Sequence, residues 1–376
     1  MSWEVVNINS ICRPRQWKTL SMEKLSSEGY PVYGANGKIG FYSEFTHEYP
    51  TLAITCRGAT CGSVHITEPK SYVNGNAMAL DNLSEKINIR FLYYYFLQRG
   101  FNDVISGSAQ PQITGEGLSK IKVPLPPLPI QKRIAEILDA ADALKRKDLQ
   151  LLKKYDELAQ AIFIDMFGDP ARNEKGWGIN KLKNLTTKIG SGATPTGGKT
   201  AYKSSGISLI RSMNVYDFSF KWKDLAFIDI IQATKLNNVE VKTKDVLFNI
   251  TGASVCRCSI VPDKLLPARV NQHVAIIRAK MELLNPVFLN HLLVSDSIKI
   301  KLLGIGSGGG AVMEAITKEQ LEQFEIIVPS IKLQNEFEKK IDNVFIQKEI
   351  EINLIDKSEK LFQTLIQKAF TGELVS

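Results

Sequence analysis

The chain has 376 residues, 44% hydrophobic and 23% charged, the balance of an ordinary soluble globular protein, and at roughly 100–200 residues per domain it is long enough for two or three domains. No window approaches the ~18 consecutive apolar residues of a membrane span, and Met1-Ser2-Trp3-Glu4-Val5 lacks the basic and apolar regions of a signal peptide. Five cysteines, an odd number in a long chain, make no disulfide framework, so a cytoplasmic protein is expected.

The net charge is +8, and its placement is uneven: residues 1–123 carry +2, 124–170 carry −1, 171–328 carry +8 and 329–376 carry −1. A basic surface confined to part of a chain suits a polyanion partner, although a solvated basic face gives the same numbers. Residues 1–123 hold short β-rich runs such as Thr51–Thr55 and Ser63–Thr67, loops of Gly, Asn, Ser and Thr, and one helical run, Ile89–Gln98. The Pro124–Pro129 stretch cannot be helix interior. After it, apolar residues step by three and four from Ile130 to Met166 through Ile134, Leu138, Ala141, Leu144, Leu151, Leu158 and Ile162. That pattern predicts one long helix stopped by Gly168-Asp169-Pro170. Residues 171–328 resemble the first segment in kind, with β-rich Val246–Ile250 and His273–Ile277 and a helical run Pro286–Leu303. A second long helix is expected from about Ile331 to Phe370, through Phe337, Ile341, Val344, Ile352, Phe362 and Ile366.

These four segments are two copies of one plan. Trp3–Ile8 is echoed by Trp177–Leu182 at a shift of 174 residues, Gly58-Ala59 by Gly252-Ala253 at 194, and Val73-Asn74 by Val270-Asn271 at 197. From Gly107 and Gly310 onward the shift holds at 203, through Ile113-Thr114 and Ile316-Thr317, Gln131 and Gln334, and Phe167 and Phe370. The second copy has therefore gained 29 residues, all before Gly310. The expected fold is α+β: domains at 1–123 and 171–328, each followed by a helix, 124–170 and 329–376, of fixed length. Two rods of ~37 residues, each about 55 Å long, bury their apolar stripes best against each other.

Catalytic signals are weak. Gly197-Gly198-Lys199-Thr200 nearly completes a phosphate loop, but Ala193 stands where the first glycine belongs. Gly304–Gly310 lacks the strand-to-helix context of a dinucleotide fingerprint. Cys56-x4-Cys61-x3-His65 has too few ligands and the wrong spacing for a closed zinc site. There is no Gly-x-Ser-x-Gly elbow, and none of the four histidines lies beside both a nucleophile and a carboxylate. No catalytic centre, metal or cofactor is expected. The loops instead carry side chains suited to base edges and phosphates. In the first domain these are Tyr33, Asn36, Lys38, Arg57, Gln110 and Gln112, with Asn74 and Asn76; in the second they are Thr194, Thr196, Lys199, Arg211, Asn214, Arg257 and Gln272, with Asn249, Arg269 and His273.

Several segments together resemble the DNA-specificity subunits of type I restriction–modification systems. They are Tyr30-Pro-Val-Tyr-Gly-Ala-Asn-Gly37, Gln110-Pro-Gln-Ile-Thr114, Ile189-Gly-Ser-Gly-Ala-Thr-Pro195 with Gly206–Ile210, and Pro124-Leu-Pro-Pro-Leu-Pro-Ile-Gln131 leading into a helix that closes on Met166-Phe167-Gly168. The resemblance covers nearly the whole chain. It implies two target-recognition domains, each reading half of a split double-stranded DNA target, on a pseudo-twofold scaffold of two antiparallel helices. It also implies docking of two modification (methyltransferase) subunits and of restriction (ATP-dependent translocase and nuclease) subunits, with adenine methylation done by the partners. Two other readings compete: a coiled-coil adaptor whose domains bind protein or another ligand, and a nucleotide hydrolase using Gly197–Thr200.

Overall fold

A computed structural model of the chain describes residues 3–107, 110–306 and 315–375. Of the glycine-rich run, residues 307–310 lie outside the described residues, as do Ser108 and Ala109 in the corresponding loop of the first half. The chain forms two compact units, Met1–Gln150 with Glu351–Ser376, and Leu151–Ile350.

The first unit contains β1 (Glu4–Asn7), β2 (Arg13–Gln16), β3 (Tyr30–Gly34), β4 (Gly37–Tyr42), β5 (Leu52–Thr55), β6 (Val64–Ile66), β7 (Tyr72–Val73), β8 (Ala77–Asp81), α1 (Ile89–Arg99), β9 (Ile105–Ser106), β10 (Gln112–Ile113), α2 (Gly115–Ser119), β11 (Lys122–Leu125) and the start of α3 (Leu128–Phe167). Its main sheet has the antiparallel order β2-β8-β5-β6, and a second sheet runs β4-β3-β7 with β3 and β7 parallel. Strands β1 and β11 pair to close the segment before α3.

The second unit takes the rest of α3, then β12 (Ile179–Lys181), α4 (Leu182–Leu185), β13 (Thr186–Ser191), β14 (Ile207–Ile210), β15 (Val215–Tyr216), β16 (Ser219–Phe220), β17 (Ala226–Ile228), α5 (Ile230–Lys235), β18 (Glu240–Val241), β19 (Val246–Asn249), β20 (Cys258–Ile260), β21 (Ala268–Val270), β22 (Val274–Ala279), α6 (Pro286–Val294), α7 (Asp296–Gly306), α8 (Lys318–Gln323), β23 (Glu325–Ile327) and the start of α9 (Ile331–Thr371). The plan of the first unit returns: β13-β22-β19-β20 antiparallel, β17-β14-β21-β18 with β14 and β21 parallel, and β12 paired with β23.

The repeat extends to single hydrogen bonds. Arg57 bridges Gln112 as Thr251 bridges Ala315. The Ile113 amide donates to Cys56 O (3.0 Å) as Ile316 donates to Ile250 O (2.8 Å). Thr114 caps α2 and Thr317 caps α8. More than half of the extra residues of the second copy have one place. Between β3 and β5 the first unit has only β4, whereas between β14 and β19 the second has the β15–β16 hairpin, β17, α5 and β18.

Each long helix is anchored by a buried glutamine. Gln131 Oε1 accepts from Asn88 N (2.8 Å), and its amide donates to Lys86 O (2.9 Å) and Pro126 O (2.8 Å). Gln334 repeats this with Asn285 N (2.8 Å), Leu283 O (3.2 Å) and Pro329 O (2.8 Å). Asn88 and Asn285 in turn cap α1 and α6, so one side chain ties the domain helix to the rod. A fully buried amide left without these partners costs about 1–3 kcal/mol.

Three expectations need correction. Helix α3 begins at Leu128, inside the proline stretch, because Pro129 falls in the first turn, where the missing N–H has no helical partner anyway. The run Pro286–Leu303 is two helices: Ser295 adopts an extended ψ of 139° and ends α6. Finally, the apolar stripes are buried mainly towards the helix ends. In the first unit Ile134, Leu138 and Ala141 of α3 join Phe362, Ile366 and Ala369 of α9 in one core, and in the second Ala159, Phe163 and Phe167 of α3 join Phe337, Ile341 and Val344 of α9. First half thus meets second half, as in an antiparallel pair. Leu144, Leu151, Leu158, Ile346, Ile350, Ile352 and Leu354 remain exposed, because the domain cores cover only the ends of each rod.

Candidate nucleic-acid interface

In the first unit the candidate residues fall into two groups. Gly58 N donates to Pro111 O (3.1 Å) and Arg57 bridges Gln112, so the loop after β5 lies against the Gln110–Gln112 segment. Thr60 of that loop donates its hydroxyl to Ala35 O (2.6 Å) and stands 3.1 Å from Asn36 Oδ1. Asn36, Arg57, Gln110 and Gln112 are thereby gathered on adjoining loops, all exposed. Tyr33 and Lys38 turn instead to Glu68. The Tyr33 phenol is buried and accepts from Glu68 N (3.2 Å), and Lys38 Nζ pairs with Glu68 Oε1 at 3.0 Å. Burial raises the Tyr33 phenol above its ordinary value, consistent with a neutral structural hydroxyl.

In the second unit a chain of side chains runs across the ends of β13, β19 and β22. Thr194 donates to Gln272 Oε1, Gln272 Nε2 lies 3.1 Å from His273 Nε2, and His273 Nδ1 lies 2.6 Å from the Thr251 hydroxyl. Gly192 makes this approach possible: a Cβ there would stand 1.7 Å from Val270 O. Thr196 is exposed on the neighbouring loop, and its carbonyl accepts from Gln232 Nε2 (3.2 Å). Lys199 lies in the 310 turn Gly198–Ala201, its side chain outside the described residues. That turn follows a loop and leads into another, so it lacks the strand–loop–helix setting of a phosphate loop.

A cleft of about 380 Å³ opens beside this chain, lined by Ser212, Met213 and Tyr216 on one side and by the 310 turn Gly252–Ser254, Arg257 and His273 on the other. Arg257 Cζ lies 4.4 Å from the Tyr216 ring centroid and Lys221 Nζ 3.7 Å. The Lys221 ammonium first, then Arg257, holds the Tyr216 phenol below its ordinary value. Arg211 packs its guanidinium over Tyr202 at 5.3 Å and donates to Asp224 O.

Asn214 is fully buried. It accepts from Arg211 N (3.1 Å) and donates to Lys221 O (2.9 Å), so it holds the turn that displays Met213 and presents no edge of its own. Asn74, Asn249 and Arg269 are likewise buried and bonded internally. Asn74 joins Leu20 at 3.2 Å, Asn249 donates to Ser212 O at 2.9 Å, and Arg269 donates to Asn237 Oδ1 at 2.8 Å. Composition alone does not separate these from exposed polar residues. Tyr216, Lys221 and Met213 were missed, though the alternation Tyr216-Asp-Phe-Ser-Phe-Lys-Trp-Lys223 of aromatic and basic residues was a visible signal.

Residues 1–154 match the type I restriction modification DNA specificity domain. A putative type I restriction enzyme specificity subunit of Haemophilus influenzae is 33% identical over 144 residues, which are 38% of this chain and 36% of that protein, so the match spans little over a third of its length. A putative type I restriction enzyme specificity subunit of Methanocaldococcus jannaschii is 27% identical over 343 residues, covering 83% of this chain and 75% of the relative. The crystal structure of a type I restriction–modification S subunit from M. genitalium superposes with a TM-score of 0.63 at 14% identity, over 98% of this chain and 96% of the other, a likeness of fold. The duplicated architecture thus goes with a match of residues 1–154 to the type I restriction modification DNA specificity domain, with similarity to type I specificity subunits along most of the chain, and with a fold shared with an S subunit.

Proposed function

We propose that this chain is the sequence-reading subunit of a restriction–modification complex, binding a split DNA target through two different loop surfaces. The observation that carries this reading is the repetition of one sheet plan with unlike loops on it. The strands and the glutamine anchors recur, whereas the presented side chains are Asn36, Arg57, Gln110 and Gln112 in one unit and Thr194, Arg257, Gln272 and their neighbours in the other. Two related surfaces with different contacts suit two different half-sites, as a symmetric dimer suits a palindrome.

Residues 1–123 and 171–328 serve as the recognition domains, and 124–170 and 329–376 as the rods between them. The chain supplies specificity, and its partners the catalysis. Modification subunits dock on the rods, whose exposed leucines and isoleucines offer an apolar surface, and restriction subunits join that assembly. The alternative reading of the domains as protein-binding adaptors lacks a comparable observation.

The test is binding of the purified chain, with its modification subunit, to duplex DNA across a salt series. A steep fall of affinity with salt, together with preference for one split sequence over random DNA, is expected. Binding that is flat with salt, or equal for all sequences, contradicts the reading.

A further inference from the structure

The β15–β16 hairpin has no counterpart between β3 and β5, and it supports two cations without a carboxylate partner among the described residues. Lys221 Nζ and Arg257 Cζ lie 3.7 and 4.4 Å from the same ring centroid of Tyr216. Their charges are therefore within about 8 Å of each other, comparable to a Debye length at physiological salt. Among the described residues, no acidic side chain lines the adjoining cleft.

The backbones that carry these groups are fixed. Lys221 N donates to Asn214 O (2.8 Å) while Asn214 Nδ2 donates to Lys221 O (2.9 Å), closing the stem of the hairpin. Arg257 O accepts from Asn249 N (2.9 Å) at the end of β19. Two like charges held this way repel, and the electron-rich face of Tyr216 offsets the repulsion only in part. An anion placed against both relieves it.

We propose that Tyr216, Lys221 and Arg257 form a clamp for one backbone phosphodiester of the DNA, with the tyrosine ring as the platform that holds the two cations in place. This rests on the DNA-reading function above and assigns to it a contact that positions the duplex without reading its sequence. It also makes the two recognition surfaces unequal, since the first unit lacks the hairpin.

The experiment uses the full chain with its modification subunit and a duplex carrying the recognised motif. The double variant K221Q/R257Q is expected to bind 10- to 100-fold more weakly at 0.1 M salt, with a salt slope shallower by about two, and with the same preferred motif. Y216F is expected to bind within twofold of the parent, and Y216A several-fold more weakly. A second arm leaves the protein unaltered: neutral methylphosphonates are placed one at a time along the duplex. One position in the half-site of the second unit should weaken the parent and have no further effect on K221Q/R257Q.

Unchanged affinity and slope in the double variant, a changed motif, or no methylphosphonate position whose effect disappears with it overturns the clamp. So does saturation by inorganic phosphate at the concentrations at which the duplex binds, which would make a free anion the ligand. If the parent itself prefers no sequence, the function above fails; if the parent discriminates and the variants match it, the clamp alone fails.

Discussion

The two units place different chemistry at the same point of the same architecture. Six residues after the asparagine that caps the domain helix, the first unit has Tyr94 and the second His291. Tyr94 donates to Asp139 of α3 (2.6 Å), and Arg90 Nε donates to the same carboxylate (2.8 Å). His291 instead sits among Phe163, Phe218 and Phe337, with Nδ1 donating to Val287 O (2.9 Å) within its own helix. At this position one junction has a polar network and the other an aromatic cluster, yet both hold a domain helix against a long helix. The geometry of the junction is thus separable from its chemistry. What both copies keep is the glutamine anchor beneath it.

The largest expected effect lies in the aromatic cluster. Phe337 is fully buried and touches Phe163, Phe167 and His291, so Phe337→Ala should destabilise the second unit by about 3–5 kcal/mol in denaturant titration. A loss below about 1 kcal/mol would mean that the cluster does not hold the junction.

Acid should separate the units next. Burial lowers the His291 imidazole from its ordinary value of 6.5 to about 4. Between those values the unfolded chain binds a proton that the folded one refuses, so the stability is complete above pH 6.5 and is lost as pH falls through that window. At about 1.4 kcal/mol per pH unit, the loss approaches about 3 kcal/mol at pH 4. Hydrogen exchange at descending pH should show the second unit opening before the first, and His291→Phe should remove that order. Equal opening in the parent would contradict the role of His291.

The glutamines test sameness instead of difference. Gln131→Ala and Gln334→Ala should each cost about 1–3 kcal/mol, with values that agree closely between the units; a cost in only one would show that the anchor is not shared. Smallest of all, Asp139→Asn should cost about 1 kcal/mol or less, because both ends of its ion pair are more than a third exposed. The loss should shrink with added salt.

The repeat was legible in the sequence because the strand pairings and caps it encodes are local and recur at fixed offsets, as Ile113-Thr114 and Ile316-Thr317 show. Helix positions were legible from their apolar period. Which apolar residues end up covered was not, since Ile134 and Leu151 lie on the same pattern and only the first meets a domain core. The break at Ser295 escaped because no Gly or Pro marks it. Loop residues were the least legible. Asn36 and Asn214 are the same residue type in similar loops, and only the folded partners decide that one is exposed and the other buried. Lys221 and Arg257 lie within the basic segment 171–328, but net charge singles out neither of them nor the tyrosine between them.

The central claim, that two unlike surfaces read two halves of one target, is tested most directly by mapping methylated adenines left on random-sequence DNA by the modification subunit with this chain, and with a chain whose residues 1–123 come from a relative of different specificity. The account predicts one split motif for the parent and a motif altered in only one half for the exchange. A contiguous motif, methylation without any motif, or a change in both halves would contradict it.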